Sequence, residues 1–374
     1  MKKIVYVYGN LPAYRSDFFA QLNVKLKSDD VEMVVMYGTL TGKKVVKQDS
    51  SNDFKKRMFQ SRSLNIGPFS FVTIKGLFKQ FKKEKPDAVV ISFAATHLTL
   101  LRVVLYCLWH KIPYSSWRCG YNRDDYSKLS ARIRGTIITF VEKHAMNCIA
   151  YGSYYKNILC RKGVLPEKVI IAQNTIDVEG IMEKNSDLIR TFSNQETKVL
   201  FVGALIKRKE LHTSIEAISQ LLSEGYDISF DIVGGGEMVE PLRLMIKERG
   251  LEGRIKVVGA KYGEDVRQYF RSHDVFLVAG IGGLAVNEAM AYGLPIISTN
   301  ADWTICDLID GNGYYMDKYG DVKMQVDCLK AFMSLSAEEK VKMSNRSKEI
   351  ISQKASLDNM TNKHREACMS MLNF

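Results

Sequence analysis

The sequence predicts an α/β protein made of two doubly wound domains. Short apolar, β-branched runs alternate with amphipathic segments of helical period along the chain. The alternation lapses near residues 174–187 and restarts at residue 198. Continuous apolar strands between helices belong to parallel sheets covered on both faces. A length of 374 residues suits two domains.

Taken in order, KIVYVYG (3–9) reads as the first strand and AYRSDFFAQLNVKLKS (13–28) as its helix. VEMVVMYG (31–38) is a second strand, and residues 40–65 are polar, basic and without a clear period. FVTIKGLFKQFKKEKPDAVVIS (71–92) reads as a basic amphipathic helix, a Pro-Asp turn and a strand. HLTLLRVVLYCLWHKIPYSSWR (97–118) and ARIRGTIITFVEKHAMNCIAYG (131–152) each give a helix and a strand. The second half opens with strand KVLFVGAL (198–205), followed by helix ELHTSIEAISQLLSEG (210–225). DISFDIVGGGE (227–237) is a strand running into glycines. EPLRLMIKERGLEGRIKVVGA (240–260) and GEDVRQYFRSHDVFLVAG (263–280) are two further helix–strand pairs. The last pair is GIGGLAVNEAMAYGLPIIST (280–299). The join in NTIDVEGIMEKNSD predicts domains over 1–177 and 178–355, with a helix at about 356–374 packing back on the first. Open α/β sheets bind ligands beyond the carboxyl ends of their strands, so the expected active site is a cleft between the two domains.

Charge is uneven: residues 1–180 hold 29 Lys and Arg against 14 Asp and Glu, and the remainder holds 24 against 27. A basic half attracts anionic substrates, nucleic acid or an anionic membrane. No nucleic-acid reading motif accompanies it, so nucleic acid is not an expected partner. No run approaches 18 uncharged apolar residues. MKKIVYVYGN lacks the long apolar region and cleavage site of a signal peptide and reads as a buried strand. Seven scattered cysteines without CxxC fit a reducing cytoplasm and no zinc site.

The turn after the first strand, YGNLPAYR, has a single Gly9 where a dinucleotide fingerprint needs GxGxxG, and no GxxxxGK[ST] phosphate loop exists. Residues 280–299 are more informative. Gly282, Gly283 and Leu284 stand between a strand and a helix, where glycines admit a phosphate to backbone N–H groups and a helix start adds its positive end. Glu288 lies about a turn into that helix and can accept hydrogen bonds from both ribose hydroxyls. After strand 198–202, Gly203 precedes three cations, Lys207, Arg208 and Lys209, placed to stabilise a diphosphate leaving group.

These residues resemble the GT-B glycosyltransferases, in the large retaining family numbered four, and the resemblance runs over nearly the whole chain, most strongly from 145 to 315. FVGALIKRKELHTSIEAI resembles the family's phosphate element, with Lys209 at its lysine. IVGGGE, with Gly234, matches its glycine turn, and VVGAKYGEDVRQYFRSHDVFLV, with Lys261, its base-contacting strand. GGLAVNEAMAYGLPIIST resembles the donor signature, with Glu288 at the ribose-binding glutamate, and DGNGYYMD its tail. The first signature glutamate falls on Gly280, the family arginine on Ala204, and a histidine of the first domain on Cys119. Lys207 and Arg208 are the cations available to replace the arginine. NLPAYRSDFF resembles a subgroup's acceptor-side loop, making Tyr14 and Arg15 acceptor candidates, with Asp124 and Arg118 also placed toward the cleft.

The resemblance implies two Rossmann-like domains and sugar transfer with retention. The expected donor is a UDP- or GDP-sugar and the acceptor a glycan or polyprenyl-linked sugar in bacterial surface polysaccharide or glycolipid assembly. Lys209, Arg208 and Arg118 carry the charge stabilisation. No cofactor or bound metal is implied, and the sequence has no Asp-x-Asp. The implied location is cytoplasmic, peripheral on an anionic inner membrane through the helix around 76–85, with Leu77, Phe78 and Phe81 as apolar anchors among lysines. A non-catalytic relative that binds a nucleotide sugar, and a nucleotide-sugar-processing enzyme of the same fold, are the alternatives.

Overall fold

A computed structural model describes residues 1–39, 53–66, 69–119, 129–192, 195–299 and 304–373. The chain divides into two compact units, Met1–Ile176 with Leu357–Phe374, and Asp177–Ser356.

The strands of the first unit are β1 (Lys2–Tyr8), β2 (Val31–Gly38), β3 (Lys55–Phe59), β4 (Ser61–Ile66), β5 (Phe69–Ile74), β6 (Ala88–Ile91), β7 (Tyr114–Arg118), β8 (Asn147–Ala150) and β9 (Val169–Ile171). Its helices are α1 (Ser16–Ser28), α2 (Leu77–Glu84), α3 (Leu98–Trp109), α4 (Leu129–His144) and α5 (Ser153–Arg161). The sheet runs β3-β2-β1-β6-β7-β8-β9, and every pairing in it is parallel. β4 and β5 form a separate antiparallel pair.

The second unit begins with α6 (Val178–Lys184). Its strands are β10 (Thr197–Val202), β11 (Ile228–Val233), β12 (Ile255–Gly259), β13 (Val275–Val278), β14 (Ile296–Thr299) and β15 (Gly313–Met316). Between and after them come α7 (Leu211–Ser223), α8 (Val239–Glu248), α9 (Glu264–Ser272), α10 (Leu284–Ala291), α11 (Val322–Met333) and α12 (Ala337–Lys354). The parallel order is β12-β11-β10-β13-β14-β15. The last helix, α13 (Leu357–Leu372), packs on α1 of the first unit. There Met360, His364, Cys368 and Met371 are buried, and the Tyr6 hydroxyl meets His364 Nδ1 at 3.2 Å.

Each unit closes its central strand pair in the same way. The Asp87 carboxylate, just before β6, accepts the Lys3 backbone N–H at 2.7 Å, and the Asp274 carboxylate, just before β13, accepts that of Lys198 at 2.7 Å. Just before β6 and β13 begin, the carboxylates thus satisfy these backbone donors. In each sheet these central pairs, β1 with β6 and β10 with β13, are the points where strand order reverses. That is where doubly wound sheets bind ligands.

Two expectations need correction. Phe71–Ile74, read as the lead into the basic helix, belongs to β5, and Gly76, at φ +81°, separates it from α2. Leu77 and Phe81, read as membrane anchors, are fully buried in the first core, and Phe78 packs against it. The core needs that apolar face, so α2 turns only its lysines outward.

Candidate functional site

In the second unit a cavity of about 550 Å³ opens beyond the carboxyl ends of β10, β11 and β12. Of the predicted residues, Gly203, Gly234, Lys261 and Glu288 line it. Glycine is required here by geometry. Gly234, at φ +153°, lies so close that a Cβ would strike the Gly203 carbonyl, and Gly236, at φ +151°, would strike the Leu205 backbone. A side chain at either position would force the two loops apart. Tyr262, Gly263 and Val266 also line the cavity. They follow β12 and were not singled out from sequence, although they lie in the same stretch whose resemblance selected Lys261.

Glu288 is half-buried on α10. Burial raises its carboxyl above the ordinary carboxylate range, and the charge of Arg267 pulls it back down. An ionised acid held in a part-apolar cavity gains most from hydroxyl donors that replace its lost water. That is the chemistry of a carboxylate placed against a vicinal diol.

Lys209 has a different place from the one its charge suggests. Its ammonium donates to the carbonyls of Ile281 and Gly282, both at 2.6 Å. The Ile281 N–H donates to the Arg208 carbonyl at 3.0 Å, and the Tyr319 hydroxyl donates to that same carbonyl. The cationic turn at 207–209 and the glycine loop are therefore fastened together. A Cβ at Gly280 would lie 2.6 Å from the Lys209 carbonyl oxygen and closer still to that of Arg208. Lys207 and Arg208 are exposed. Gly283, at φ +145°, starts α10 with no side-chain cap, and Leu284 is its first residue. Lys207, Arg208, Lys209, Gly282, Gly283 and Leu284 thus belong to this adjoining loop pair and are not among the residues lining the cavity.

The first unit has its own cavity at its switch point, about 280 Å³, after β1 and β6. Tyr14 and Arg15 line it, with Tyr8, His97 and Tyr151. Tyr14 is exposed, whereas Arg15 is 1% exposed. Gly9 is needed because a Cβ there would press into the His97 ring, 3.0 Å from Nδ1. Tyr8 and His97 escaped the sequence reading, although Tyr8 ends β1 and His97 caps the start of α3 after β6. Arg118 is half-buried, with Nε 3.9 Å from the buried Glu142 of α4. Glu142 in turn accepts the Tyr155 hydroxyl. The structure thus gives Arg118 an internal ion pair rather than a place lining either cavity. Cys119 is exposed, and Asp124 lies outside the described residues.

Residues 184–350 match the family described as Glycosyl transferases group 1. The chain is 29% identical over 167 residues to the amylovoran biosynthesis glycosyltransferase AmsK of Erwinia amylovora, covering 42% of this chain and 40% of that one. It is 29% identical over 163 residues to the putative colanic acid biosynthesis glycosyltransferase WcaL of Escherichia coli, covering 41% and 40%. These alignments span about two fifths of those relatives. Among solved structures, HepE of Anabaena in complex with UDP superposes with a TM-score of 0.72 at 14% identity, over 99% of this chain and 100% of that one. The fold is therefore that of the GT-B glycosyltransferases, two Rossmann-like halves each built on a parallel sheet. The second unit is the part that matches the group 1 glycosyl transferases.

Proposed function

We propose that this protein transfers a sugar from a nucleotide-sugar donor to a glycan or polyprenyl-linked acceptor, with retention at the anomeric carbon, in bacterial surface polysaccharide assembly. The observation that carries the reading is Glu288 in a glycine-walled cavity at the carboxyl ends of β10–β12. The carboxylate takes the ribose hydroxyls, and the loop around Gly282, Gly283 and the start of α10 takes the diphosphate. Arg208 and Lys207 add positive charge as the diphosphate leaves, while Lys209 holds the loop in shape. The donor is a UDP- or GDP-sugar. A structural neighbour crystallised with UDP-glucose supports the first, and the curated relatives named for amylovoran and colanic acid biosynthesis support the acceptor class. The two units act as the donor domain (178–355) and the acceptor domain (1–177 with the last helix), and Tyr14 and Arg15 mark the acceptor cavity.

Membrane attachment is part of the same proposal, through a surface other than the apolar face of α2. Arg62, Lys75, Lys79, Lys82 and Arg102 line one concavity of about 600 Å³. None of the five pairs with a carboxylate among the described residues. On α3, Arg102 shares a helical stripe with the exposed Leu105 and Trp109. Unpaired cations beside exposed apolar side chains suit an anionic bilayer surface. Among the described residues no helix is long and apolar enough to cross a membrane.

The test is a thermal-shift panel of UDP-, GDP-, ADP-, CMP- and dTDP-sugars, followed by product analysis with the stabilising donor. Stabilisation of about 2.7 kcal/mol is expected at ~100-fold saturation. Stabilisation by one nucleotide series and an α-linked product from an α-linked donor is the expected result. A product of opposite anomeric configuration overturns retention, and a flat panel overturns the donor site.

A further inference from the structure

The cavity of the first unit is built around a buried cation, Arg15, that has no ion pair among the described residues. The Arg15 guanidinium donates to the Tyr151 hydroxyl at 2.5 Å and to Met360 Sδ at 3.4 Å. The rings of Trp117, Tyr14, Tyr151 and Phe18 stand 4.9 to 5.7 Å from it. No carboxylate pairs with Arg15 among the described residues. Aromatic faces and a neutral hydroxyl compensate a buried charge only in part.

Two further features make the site electropositive. Arg15 sits at the N-terminus of α1, a helix of 13 residues with no side-chain cap. A cation at that end opposes the helix dipole. The acid of the first turn, Asp17, is exposed. The Tyr8 hydroxyl, on a residue only 6% exposed, lines the cavity with no hydrogen-bond partner among the described residues, and so does His97 Nδ1. Buried hydroxyls are rarely left unpaired. A helix start, a desolvated guanidinium and two unused polar atoms thus converge on about 280 Å³, the small end of ligand cavities.

We infer that this cavity binds an oxyanion carried by the acceptor, a phosphate or a sugar carboxylate, against Arg15 with Tyr8 and His97 as its hydrogen-bonding partners. The inference rests on the acceptor-side reading of this unit and narrows it from any glycan to one bearing a negative group next to the hydroxyl that receives the sugar. A neutral acceptor would bring the Arg15 guanidinium no opposite charge.

The experiment uses the full chain and reads quenching of tryptophan fluorescence, since Trp117 lies beside Arg15. Inorganic phosphate, pyrophosphate, glucuronate and neutral glucose are titrated at constant ionic strength. Saturable quenching by phosphate or pyrophosphate identifies a phosphate-bearing acceptor, and by glucuronate a uronic-acid acceptor, with glucose silent in both cases. Tyr8→Phe is expected to weaken the effective anion about tenfold and Arg15→Gln about a hundredfold. UDP binding to the second unit is measured in parallel and is expected to stay unchanged in both variants. If Arg15→Gln does not fold, Tyr8→Phe and His97→Ala carry the test. Failure of all the anions to saturate, quenching by glucose to the same extent, or equal anion affinity in Tyr8→Phe and His97→Ala overturns the inference. The UDP titration keeps that failure separate from failure of the donor site.

Discussion

Replacing Glu288 with Ala is expected to separate nucleotide binding from folding. If the carboxylate accepts hydrogen bonds from ribose hydroxyls, its loss removes contacts of about 1.5–3 kcal/mol. That is a ~10- to 100-fold rise in Kd for the nucleotide. The stability change runs the other way. Burial raises the Glu288 carboxyl, so the empty folded protein holds the ionised group at a cost. The sign follows from linkage: the folded state binds the proton more tightly than the unfolded chain. The penalty is therefore absent below the unfolded value and grows as pH rises to the folded value. At pH 8 the Ala variant loses that penalty and a few contacts together. Its thermal midpoint is expected within about 4 °C of the wild type, roughly 1 kcal/mol for a unit of this size.

The assay is isothermal titration of UDP and GDP, and of their 2′,3′-dideoxy counterparts, into the wild type, Glu288→Ala and Glu288→Gln. Wild-type affinity is expected to fall as pH drops through the raised carboxyl value, because the neutral acid is a poorer acceptor. Glu288→Gln is expected to bind weakly with a flat pH profile. The dideoxy nucleotides are expected to bind wild type and Ala variant nearly alike. An Ala variant that binds UDP and GDP within twofold of wild type refutes the ribose assignment. A full loss that persists with dideoxy nucleotides refutes it as well, since the carboxylate would then serve some other group.

Further outcomes follow from the same geometry. Gly280→Glu, which restores the glutamate of related sequences, is expected to lower stability by ~1–3 kcal/mol through collision with the Arg208 and Lys209 backbone; a thermal midpoint equal to wild type, with raised turnover, contradicts this. Lys209→Met is expected to lower both the thermal midpoint and UDP affinity, because it abandons the Ile281 and Gly282 carbonyls, and loss of UDP affinity at an unchanged midpoint would mean the ammonium serves the phosphate alone. Charge reversal at Lys75, Lys79 and Arg102 is expected to abolish co-sedimentation with phosphatidylglycerol vesicles, while wild-type binding falls steeply between 50 and about 300 mM salt; equal binding to neutral vesicles rules out the charged surface. His364 is buried and its imidazole is held well below the usual value by burial, with the charge of Arg15 adding to this. Its folded value is the lower one, so stability is expected to fall as pH drops below about 6.5, and urea titrations of His364→Asn are expected to show a shallower loss.

The two sheets were legible because their strands are buried on both faces and need near-continuous apolar sequence; Ile4–Val7 and Val275–Val278 show it plainly. β3, β4 and β5 were not legible. β3 is only partly buried, and among the described residues β4 pairs with β5 alone, so neither alternation nor a continuous apolar run marks them. Gly203 and Glu288 could be chosen from sequence because a strand end and a helix that follows a glycine loop are local features, and Gly234 and Lys261 through the resemblance. The partners of Lys209 could not, since its carbonyl acceptors lie 72 and 73 residues away. Arg15 reads locally as a solvated residue at a helix start. Its burial depends on Tyr151 and on Met360, 136 and 345 residues distant.

Gly280 and Lys209 make more sense together than as two separate departures from a signature. A carbonyl and the N–H across its planar trans peptide point in opposite directions. With the carbonyls of Ile281 and Gly282 both turned to the Lys209 ammonium, the N–H groups of Gly282 and Gly283 are turned away from it, in series with the uncapped start of α10. In the donor site proposed above, Lys209 thus shapes a run of backbone donors and does not itself contact the ligand. The loop approaches the 207–209 turn this closely only because residue 280 has no side chain. A glutamate there would separate the two segments, break the Ile281–Arg208 hydrogen bond, and bring a negative charge beside the donors to which the proposal assigns the diphosphate. In this chain the glycine is therefore the condition for the loop's close approach to the 207–209 turn.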